Sequence, residues 1–171
     1  MDTPRFLCDA MLGRLATWLR VLGYDARYAG ELPDAALVAL ARVEGRVLLT
    51  RDTRLVRRRS IGPHAFISSD RVWDQVREVA ERFRLDMAGR VGTRCLRCNV
   101  ALESFPREAA ADRVPPYVWQ TQQAFRRCPS CDRVYWAGTH RAHMAATLRG
   151  LQLSTAPGFA AEGGRQAAEG G

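Results

Sequence analysis

The sequence predicts an α/β fold built on a doubly wound parallel sheet, followed by a smaller C-terminal unit. Over the first 90 residues, short apolar runs typical of buried strands alternate with segments whose apolar residues recur at helical spacing. Such alternation is typical of parallel sheets, in which a helix leads from each strand to the next. After residue 90 the pattern stops, and two pairs of closely spaced cysteines take its place. With 171 residues, the chain is long enough for one α/β domain and a small appendage.

Four apolar runs are the predicted strands of the sheet. Each is short and is followed by a turn or by the first residues of a predicted helix, as expected where a buried strand ends. The predicted strands span residues 5–9, 25–29, 46–50 and 64–68.

The helices between these strands are predicted from apolar spacing and from residues that begin or end helices. The first helix ends at Gly23, and the second begins with Asp34 as its N-cap and ends at Gly45. An arginine-rich turn over residues 51–59 follows the third strand. Apolar residues at helical spacing then predict a last helix over residues 72–83.

The turn after the first strand argues against a dinucleotide cofactor. Residues 9–14 contain a single glycine, Gly13. Pyrophosphate-binding turns need several closely spaced glycines so that the backbone can approach the ligand. An NAD-dependent enzyme is therefore disfavoured.

Aspartates stand where two of the predicted strands end. Asp9 closes the first strand and Asp52 follows the third, and ligands of parallel sheets bind beyond the carboxyl ends of the strands. Asp34 is expected to open onto the same crevice. Carboxylates that meet repel each other unless a cation lies among them, and their oxygens suit Mg²⁺ or Mn²⁺. The sequence therefore predicts a catalytic metal site at Asp9, Asp34 and Asp52.

Helix capping is the competing explanation for each of these acids. An aspartate that precedes a helix commonly accepts hydrogen bonds from the first free N–H groups. Asp70 also follows a strand, and capping explains it as well as a fourth place in the metal site does. The metal-site prediction thus depends on three acids meeting in the folded chain.

Arginines lie close in sequence to the acids. Arg14, Arg51 and Arg54 could pair with the carboxylates, or each could hold a phosphate through its planar guanidinium group. The run over residues 57–59 is either a solvated surface or a track for a nucleic-acid backbone.

The charge of the chain indicates a polyanionic partner. The formal net charge is +8 and the sequence contains no lysine, a bias that a GC-rich genome explains and that carries no functional meaning. The positive charge itself favours RNA or DNA as partner. Apolar runs are too short to span a membrane and the N-terminus lacks a signal-peptide pattern, so a cytoplasmic protein is expected.

Two C-x₂-C pairs form the most specific motif in the chain. Cys95 and Cys98 make one pair, and Cys128 and Cys131 make the other. Two such pairs predict a closed tetrahedral zinc site with a structural role. The gap between them, residues 99–127, is longer than the roughly 15–20 residues that are usual, and an inserted loop explains the excess.

Other roles for the cysteines are disfavoured. Disulfides are rare in the cytoplasm, and a thioredoxin-like redox site would need one C-x₂-C pair after a first strand. Cys8 lies inside the first predicted strand, where it is expected to be a small buried hydrophobe.

Several residues near the second cysteine pair admit two interpretations. His140 and His143 could contact RNA, although a surface or packing role is the safer interpretation. Trp119, Tyr135 and Trp136 could stack on unpaired bases, or they could form the core of the small unit. The predicted domains are residues 1–90 and 91–150, followed by a disordered tail over residues 151–171 that is rich in Gly and Ala.

Six blocks of the chain, taken in order, form a specific pattern. They are residues 6–16, 19–25, 48–52, 94–99, 114–117 and 128–131, the last followed by Tyr135, Trp136 and His140. From about residue 5 to residue 145 the chain resembles, in these blocks, the PIN-like ribonuclease family first described as the C-terminal portion of the Mut-seven exonuclease.

This resemblance implies a PIN-like nuclease domain joined to a C-terminal zinc ribbon. In PIN nucleases an acid ends the first strand, another opens a later helix and a third follows a Thr-x-Asp pattern, which match Asp9, Asp34 and Asp52. The helix-borne glutamate that usually completes a four-acid site has no counterpart, so one or two metal ions remain possible. The 3′–5′ exonuclease domain of longer relatives also has no counterpart, and its activity is not expected.

The predicted function is that of a metal-dependent ribonuclease. Arg14, Arg51, Arg54 and His140 are the candidate contacts to phosphate or RNA, and the zinc ribbon would help to hold the substrate. The first alternative is a non-catalytic RNA-binding protein associated with the ribosome or tRNA. The second is the toxin of a toxin–antitoxin pair, which would share the chemistry and differ in having an antitoxin partner.

Overall fold

The computed structural model describes residues 3–137, and its main element is a four-stranded parallel sheet. Its strands are β1 (Arg5–Cys8), β2 (Asp25–Tyr28), β3 (Val47–Thr50) and β4 (His64–Phe66). They lie in the order β2-β1-β3-β4, and neighbouring strands pair in parallel. The predicted strands are confirmed, although each is one or two residues shorter at one end.

Helices cover both faces of this sheet, as the doubly wound prediction requires. Because successive side chains of a strand point to opposite faces, Phe6 and Cys8 pack with α1 and α4, whereas Leu7 packs with α2 and α3. The buried Cys8 thiol is thus a core side chain, as predicted. The bounds are Gly13–Val21 for α1, Asp34–Val43 for α2, Thr53–Val56 for α3 and Val72–Phe83 for α4.

The helix starts differ from the predictions in two places. The prediction that Asp34 is the N-cap of α2 is wrong by one residue, because Pro33 has the extended backbone of an N-cap and Asp34 is already helical. A carboxylate in the first turn still interacts favourably with the positive end of the helix dipole. The arginine-rich turn contains a one-turn helix, α3, which Asp52 caps.

The second sheet and the four cysteines form a unit that we call the cysteine module, residues 93–137. Its three antiparallel strands lie in the order β5-β6-β7. The long gap between the cysteine pairs contains a short helix that packs Val118 against Phe125 and Ala110 in a small core. Trp119 packs on this core, which supports the packing interpretation of that aromatic residue. The bounds are Glu103–Phe105 for β5, Pro116–Thr121 for α5, Phe125–Arg127 for β6 and Val134–Trp136 for β7.

The cysteine module is docked on strand β2, which is one of the two edges of the parallel sheet. The Asn99 side chain accepts a hydrogen bond from the Ala26 N–H at 3.1 Å and donates one to Asp25 at 2.6 Å. Burial would raise the pKa of Asp25, but hydrogen bonds from Arg46 and Asn99 hold it below its usual range. Asn99 of the first cysteine loop therefore pairs with a backbone N–H at the sheet edge, where a further strand would otherwise provide the acceptor.

Some predictions fall on residues that the structure does not describe. His140, His143 and residues 151–171 lie outside the described range. Between residues 3 and 137, no helix is long and apolar enough to cross a membrane.

Candidate active site and metal centre

The carboxyl ends of β1 and β3 form the point where the chain changes direction in the sheet. β1 and β3 are neighbours, but the chain leaves β1 toward one face and β3 toward the other. Such a reversal opens a crevice between the strand ends, and parallel sheets bind ligands there. Asp9 directly follows β1 and Asp52 is the second residue after β3, so both stand at this crevice.

Asp9 is a buried carboxylate, with 7% of its surface exposed. One of its oxygens accepts the Met11 N–H at 3.0 Å, which caps the turn that leads into α1. The other accepts the Thr50 hydroxyl at 2.5 Å and the Arg51 N–H at 3.1 Å. These three donors fix the carboxylate in one orientation at the end of β1, and the bond from Met11 is the capping contact that the sequence offered for this residue.

Thr50 connects the two acids. Its side chain is completely buried, and its hydroxyl donates to Asp9 while accepting the Asp52 N–H at 3.0 Å. Sequence reasoning placed Thr50 only within a Thr-x-Asp pattern and gave it no role of its own. The hydroxyl of Thr50 sets the position of Asp9 relative to the backbone that carries Asp52, which makes Thr50 a positioning residue.

Asp52 combines a capping role with a low proton affinity. Its side chain accepts the Arg54 N–H at 2.7 Å and the Leu55 N–H at 3.3 Å. These backbone hydrogen bonds, with the positive charges of Arg54 and Arg58, hold the pKa of Asp52 below its usual range. The carboxylate is therefore ionised at neutral pH and can act as a ligand.

Asp34 belongs to the same end of the sheet through Arg58. The guanidinium group of Arg58 lies 3.0 Å from the Asp34 carboxylate, and both side chains are nearly half exposed. The charge of Arg58 also acts on Asp52. Arg58 therefore lies near Asp34 and Asp52, and the negative charge of these two acids favours a cation there.

The acids do not form a tight ligand cluster in the described part of the chain. Among residues 3–137, the four cysteines are the only group of three or more His, Cys, Asp or Glu side chains whose ligand atoms all lie within 4.8 Å of one another. Asp70 is exposed between β4 and α4, and the N-cap of α4 is Arg71 instead. The Thr50 hydroxyl hydrogen-bonds to the Asp9 carboxylate and to the backbone N–H of Asp52. Asp34 is connected to this region by its ion pair with Arg58, and Asp70 has neither contact.

The arginines that were predicted to contact phosphate lie around this crevice, and they differ in exposure and in hydrogen bonding. The Arg51 guanidinium donates to the carbonyl of Ser69 beyond β4, so its orientation is fixed. Arg54 is 90% exposed, with its Nε 3.8 Å from the Asp52 carboxylate. Arg14 is exposed in the first turn of α1. Two exposed guanidinium groups and one that is bound to a backbone carbonyl thus lie near the crevice.

Substitution of Thr50 tests its positioning role. Thr50→Val keeps the volume but removes the hydroxyl, so for the metal-dependent RNA cleavage that the sequence predicts we expect a fall of about 10- to 100-fold, as when a partner of a metal ligand is lost. Thr50→Ser keeps the hydroxyl and should retain most of the activity. Initial cleavage rates and thermal midpoints would be measured for both. A Thr50→Val chain that is less stable but cleaves at the native rate would show a purely structural role.

The four cysteine thiols form a second centre with the dimensions of a metal site. All four sulfur atoms lie within 4.8 Å of one another. Sulfur ligands about 2.3 Å from a tetrahedral zinc ion are about 3.8 Å apart, and the Cys95 and Cys131 sulfurs are 3.8 Å apart. Four thiolates are a ligand set that zinc prefers, and they leave no open position for a catalytic water. The cysteines therefore fit a closed metal site.

The two cysteine loops have the same backbone geometry. The N–H of Cys98 points to the Cys95 sulfur at 3.3 Å, and the N–H of Cys131 points to the Cys128 sulfur at 3.4 Å. The residue after each pair, Asn99 or Asp132, has a left-handed backbone with φ of 60° or 58°. Asn and Asp tolerate this conformation better than most residues, which explains their presence at both positions.

Local hydrogen bonds favour the thiolate form at Cys95. Burial would raise the pKa of the Cys95 thiol, but the Tyr135 hydroxyl at 3.1 Å and nearby backbone N–H groups lower it to about 6. Burial raises the pKa of Cys128. Tyr135 thus contacts and packs on the thiol cluster, which supports the packing interpretation of this residue.

Comparison with protein families finds a match over most of the chain. A family model described as the Mut7-C RNAse domain matches residues 4–148, which include the three acids and all four cysteines. No curated protein and no solved structure matches the chain. The match confirms the resemblance seen in the sequence and suggests a ribonuclease-like function with RNA as substrate. Because the match to the family model covers well over half of the 171 residues, the chain belongs to the Mut7-C RNAse domain family.

Proposed function

We propose that the chain is a metal-dependent ribonuclease of PIN-like fold that hydrolyses RNA phosphodiester bonds at the crevice between β1 and β3. The proposal is supported above all by the position of Asp9 and Asp52 at this crevice, joined through Thr50. Asp34 completes the ligand set, and the three acids hold one or two Mg²⁺ or Mn²⁺ ions. Membership in a family described as an RNase domain gives the substrate class.

The residues of the crevice have separate roles in the proposed reaction. A bound Mg²⁺ or Mn²⁺ ion supplies an activated water and neutralises charge on the scissile phosphate. Thr50 and the N–H of Arg51 keep the Asp9 carboxylate aimed at the crevice. Arg14 and Arg54 bind non-bridging phosphate oxygens. In-line displacement leaves a 5′-phosphate and a 3′-hydroxyl, and the acids act as ligands and form no covalent bond to the substrate.

The cysteine module serves as a zinc ribbon in this proposal. Cys95, Cys98, Cys128 and Cys131 hold a structural zinc ion, and Arg126 and Arg133 provide exposed positive charge for the RNA backbone. The corresponding domains are a nuclease domain over residues 1–90 and a zinc ribbon over residues 91–150.

Cleavage of end-labelled RNA in buffers of controlled metal content tests the proposal. The zinc-loaded chain should cut single-stranded or structured RNA with Mg²⁺ or Mn²⁺ and should not cut after these ions are removed. Zinc content is measured in each sample, because EDTA could also extract zinc from the thiols. The products should carry a 5′-phosphate that permits ligation to a 3′-hydroxyl. Cutting that is independent of added metal, or products with 2′,3′-cyclic phosphate, would contradict it.

A non-catalytic RNA-binding protein is the second candidate. It is favoured by the spacing of the acids, since among residues 3–137 the cysteines alone meet within 4.8 Å. Charge-neutral variants of the acids separate the two candidates. A binding protein would keep or gain RNA affinity when repulsive carboxylates are removed, and the native chain would leave the RNA intact.

A further inference from the structure

Tyr28 occupies an unusual place beside the acids. It is the last residue of β2 and pairs in register with Cys8, the residue before Asp9. Its hydroxyl donates to the carbonyl of Ala10 at 3.2 Å, on the other side of Asp9 in the chain. The ring therefore lies next to the turn that carries the Asp9 carboxylate, yet Tyr28 is 46% exposed.

Two glycines make room for this ring. A Cβ atom on Gly13 would lie 3.3 Å from a ring carbon of Tyr28, and one on Gly30 would lie 2.2 Å from its hydroxyl oxygen. The ring is thus packed against the backbone of Gly13 and anchored at its hydroxyl. A side chain at Gly30 would displace it. Such a held aromatic ring loses little conformational entropy when a ligand packs on its exposed surface.

Other large apolar side chains are exposed at the same end of the sheet. Met11 is 64% exposed in the turn after Asp9, and Leu32 is 40% exposed in the turn before Asp34. Single exposed apolar residues need no explanation, but these two stand with Tyr28 beside the crevice of the proposed nuclease site. One flank of that crevice is therefore apolar and aromatic.

The opposite flank of the crevice is positively charged. Arg51 and Arg54 follow β3, and Arg57, Arg58 and Arg59 follow α3, on the side of the crevice away from β2. A ligand with an anionic backbone and a flat apolar group at its side would satisfy both flanks. A nucleotide with an unpaired base has this combination, because its phosphate and its base face can be bound at the same time.

We propose that Tyr28 is a stacking platform for an unpaired RNA base beside the scissile phosphate. This inference deepens the proposed function and rests on it. In a duplex each base is already stacked between its neighbours, so its face is not available to Tyr28. Single-stranded segments, loops and ends offer such a face.

Binding of RNA without cleavage tests this inference. The probe is a single-stranded RNA oligonucleotide with 2-aminopurine, whose fluorescence falls when the base stacks, in Ca²⁺ buffer that does not support cutting. The native chain should quench the probe. Tyr28→Ala should weaken binding about tenfold or more and abolish the quench, because stacking on one aromatic ring is a major part of such affinity. Tyr28→Phe should retain both, and duplex RNA should bind equally to all three chains.

Control variants keep the result interpretable. Tyr117→Ala removes an aromatic side chain that is 67% exposed on α5, and it should bind the probe as the native chain does. Tyr28→Leu keeps an apolar side chain if Tyr28→Ala fails to fold, and it should also lose the quench. Equal affinity and quench in the native, Tyr28→Ala and Tyr28→Leu chains would overturn the inference, as would equal losses on single-stranded and duplex RNA.

Failure of this inference and failure of the nuclease proposal give different results. Metal-dependent cleavage that is unchanged in Tyr28→Ala keeps the nuclease and removes the stacking platform. A Tyr28-dependent quench by a native chain that cuts no RNA keeps the platform and removes the nuclease. A native chain that neither binds nor cuts RNA contradicts both.

Discussion

Asp34→Asn should abolish metal-dependent RNA cleavage and leave the fold intact. Asp34 is 43% exposed in its side chain, and its carboxylate pairs with Arg58 on the surface. Loss of such an exposed pair costs little stability. Loss of a metal ligand removes several kcal/mol of transition-state stabilisation, so the cleavage rate should fall about 100-fold or more. Initial rates and thermal midpoints of the native and variant chains provide the measurement.

Asp9→Asn should lose cleavage to a similar extent, but with a cost in stability. The carboxylate of Asp9 accepts three hydrogen bonds, and an amide would turn its NH₂ group toward at least one of these donors. A mispaired buried donor costs about 1–3 kcal/mol. Asp74→Asn serves as a matched control for Asp34→Asn, since it removes a carboxylate that is 39% exposed and paired with Arg77. Native cleavage rates in a folded Asp34→Asn chain would contradict the role of Asp34.

Cys95→Ser should remove the metal from the cysteine module and unfold it. In the proposed function the four thiols hold a structural zinc ion, and such sites supply folding free energy directly. The loss should extend to the sheet edge, because Asn99, next to Cys98, is the residue that holds the Ala26 N–H and Asp25. Native mass spectrometry would count zinc, and limited proteolysis would report the order of residues 93–137.

A matched control lies in the second cysteine loop. Ser130→Ala changes an exposed residue between Cys128 and Cys131 and should keep one zinc ion and native protease resistance. Zinc removal by a chelator should reproduce the effect of Cys95→Ser, and added zinc should reverse it. If Cys95→Ser keeps one tightly bound zinc ion and the native thermal midpoint, the cysteines have another role.

The sequence predicted the parts of the fold that depend on local patterns. Apolar periodicity located the four parallel strands and the helices on both faces, since burial of one face imposes that periodicity. The C-x₂-C spacing predicted the thiol cluster because each tight loop presents two sulfurs to one point. The sequence also placed Asp9 and Asp52 where the first and third strands end, but only the structure shows that these two strands are neighbours.

Features that depend on tertiary register were outside the reach of the sequence. The Thr50 hydroxyl meets Asp9 only because β1 and β3 are neighbours with a particular register. Asn99 reaches the edge of β2 across more than 70 positions in the chain. The ring of Tyr28 lies beside Asp9 because Gly13 and Gly30 leave space for it, which is a property of the packed structure.

The most direct test of the central proposal is the binding of Mn²⁺ to the zinc-loaded chain, measured as free Mn²⁺ by electron paramagnetic resonance. The account predicts one or two sites per chain whose affinity falls about tenfold or more in Asp34→Asn and in Asp52→Asn, with zinc content unchanged. It also predicts that RNA cleavage follows the occupancy of these sites. Mn²⁺ binding that is the same in the native chain and in both variants would contradict an aspartate-held catalytic metal.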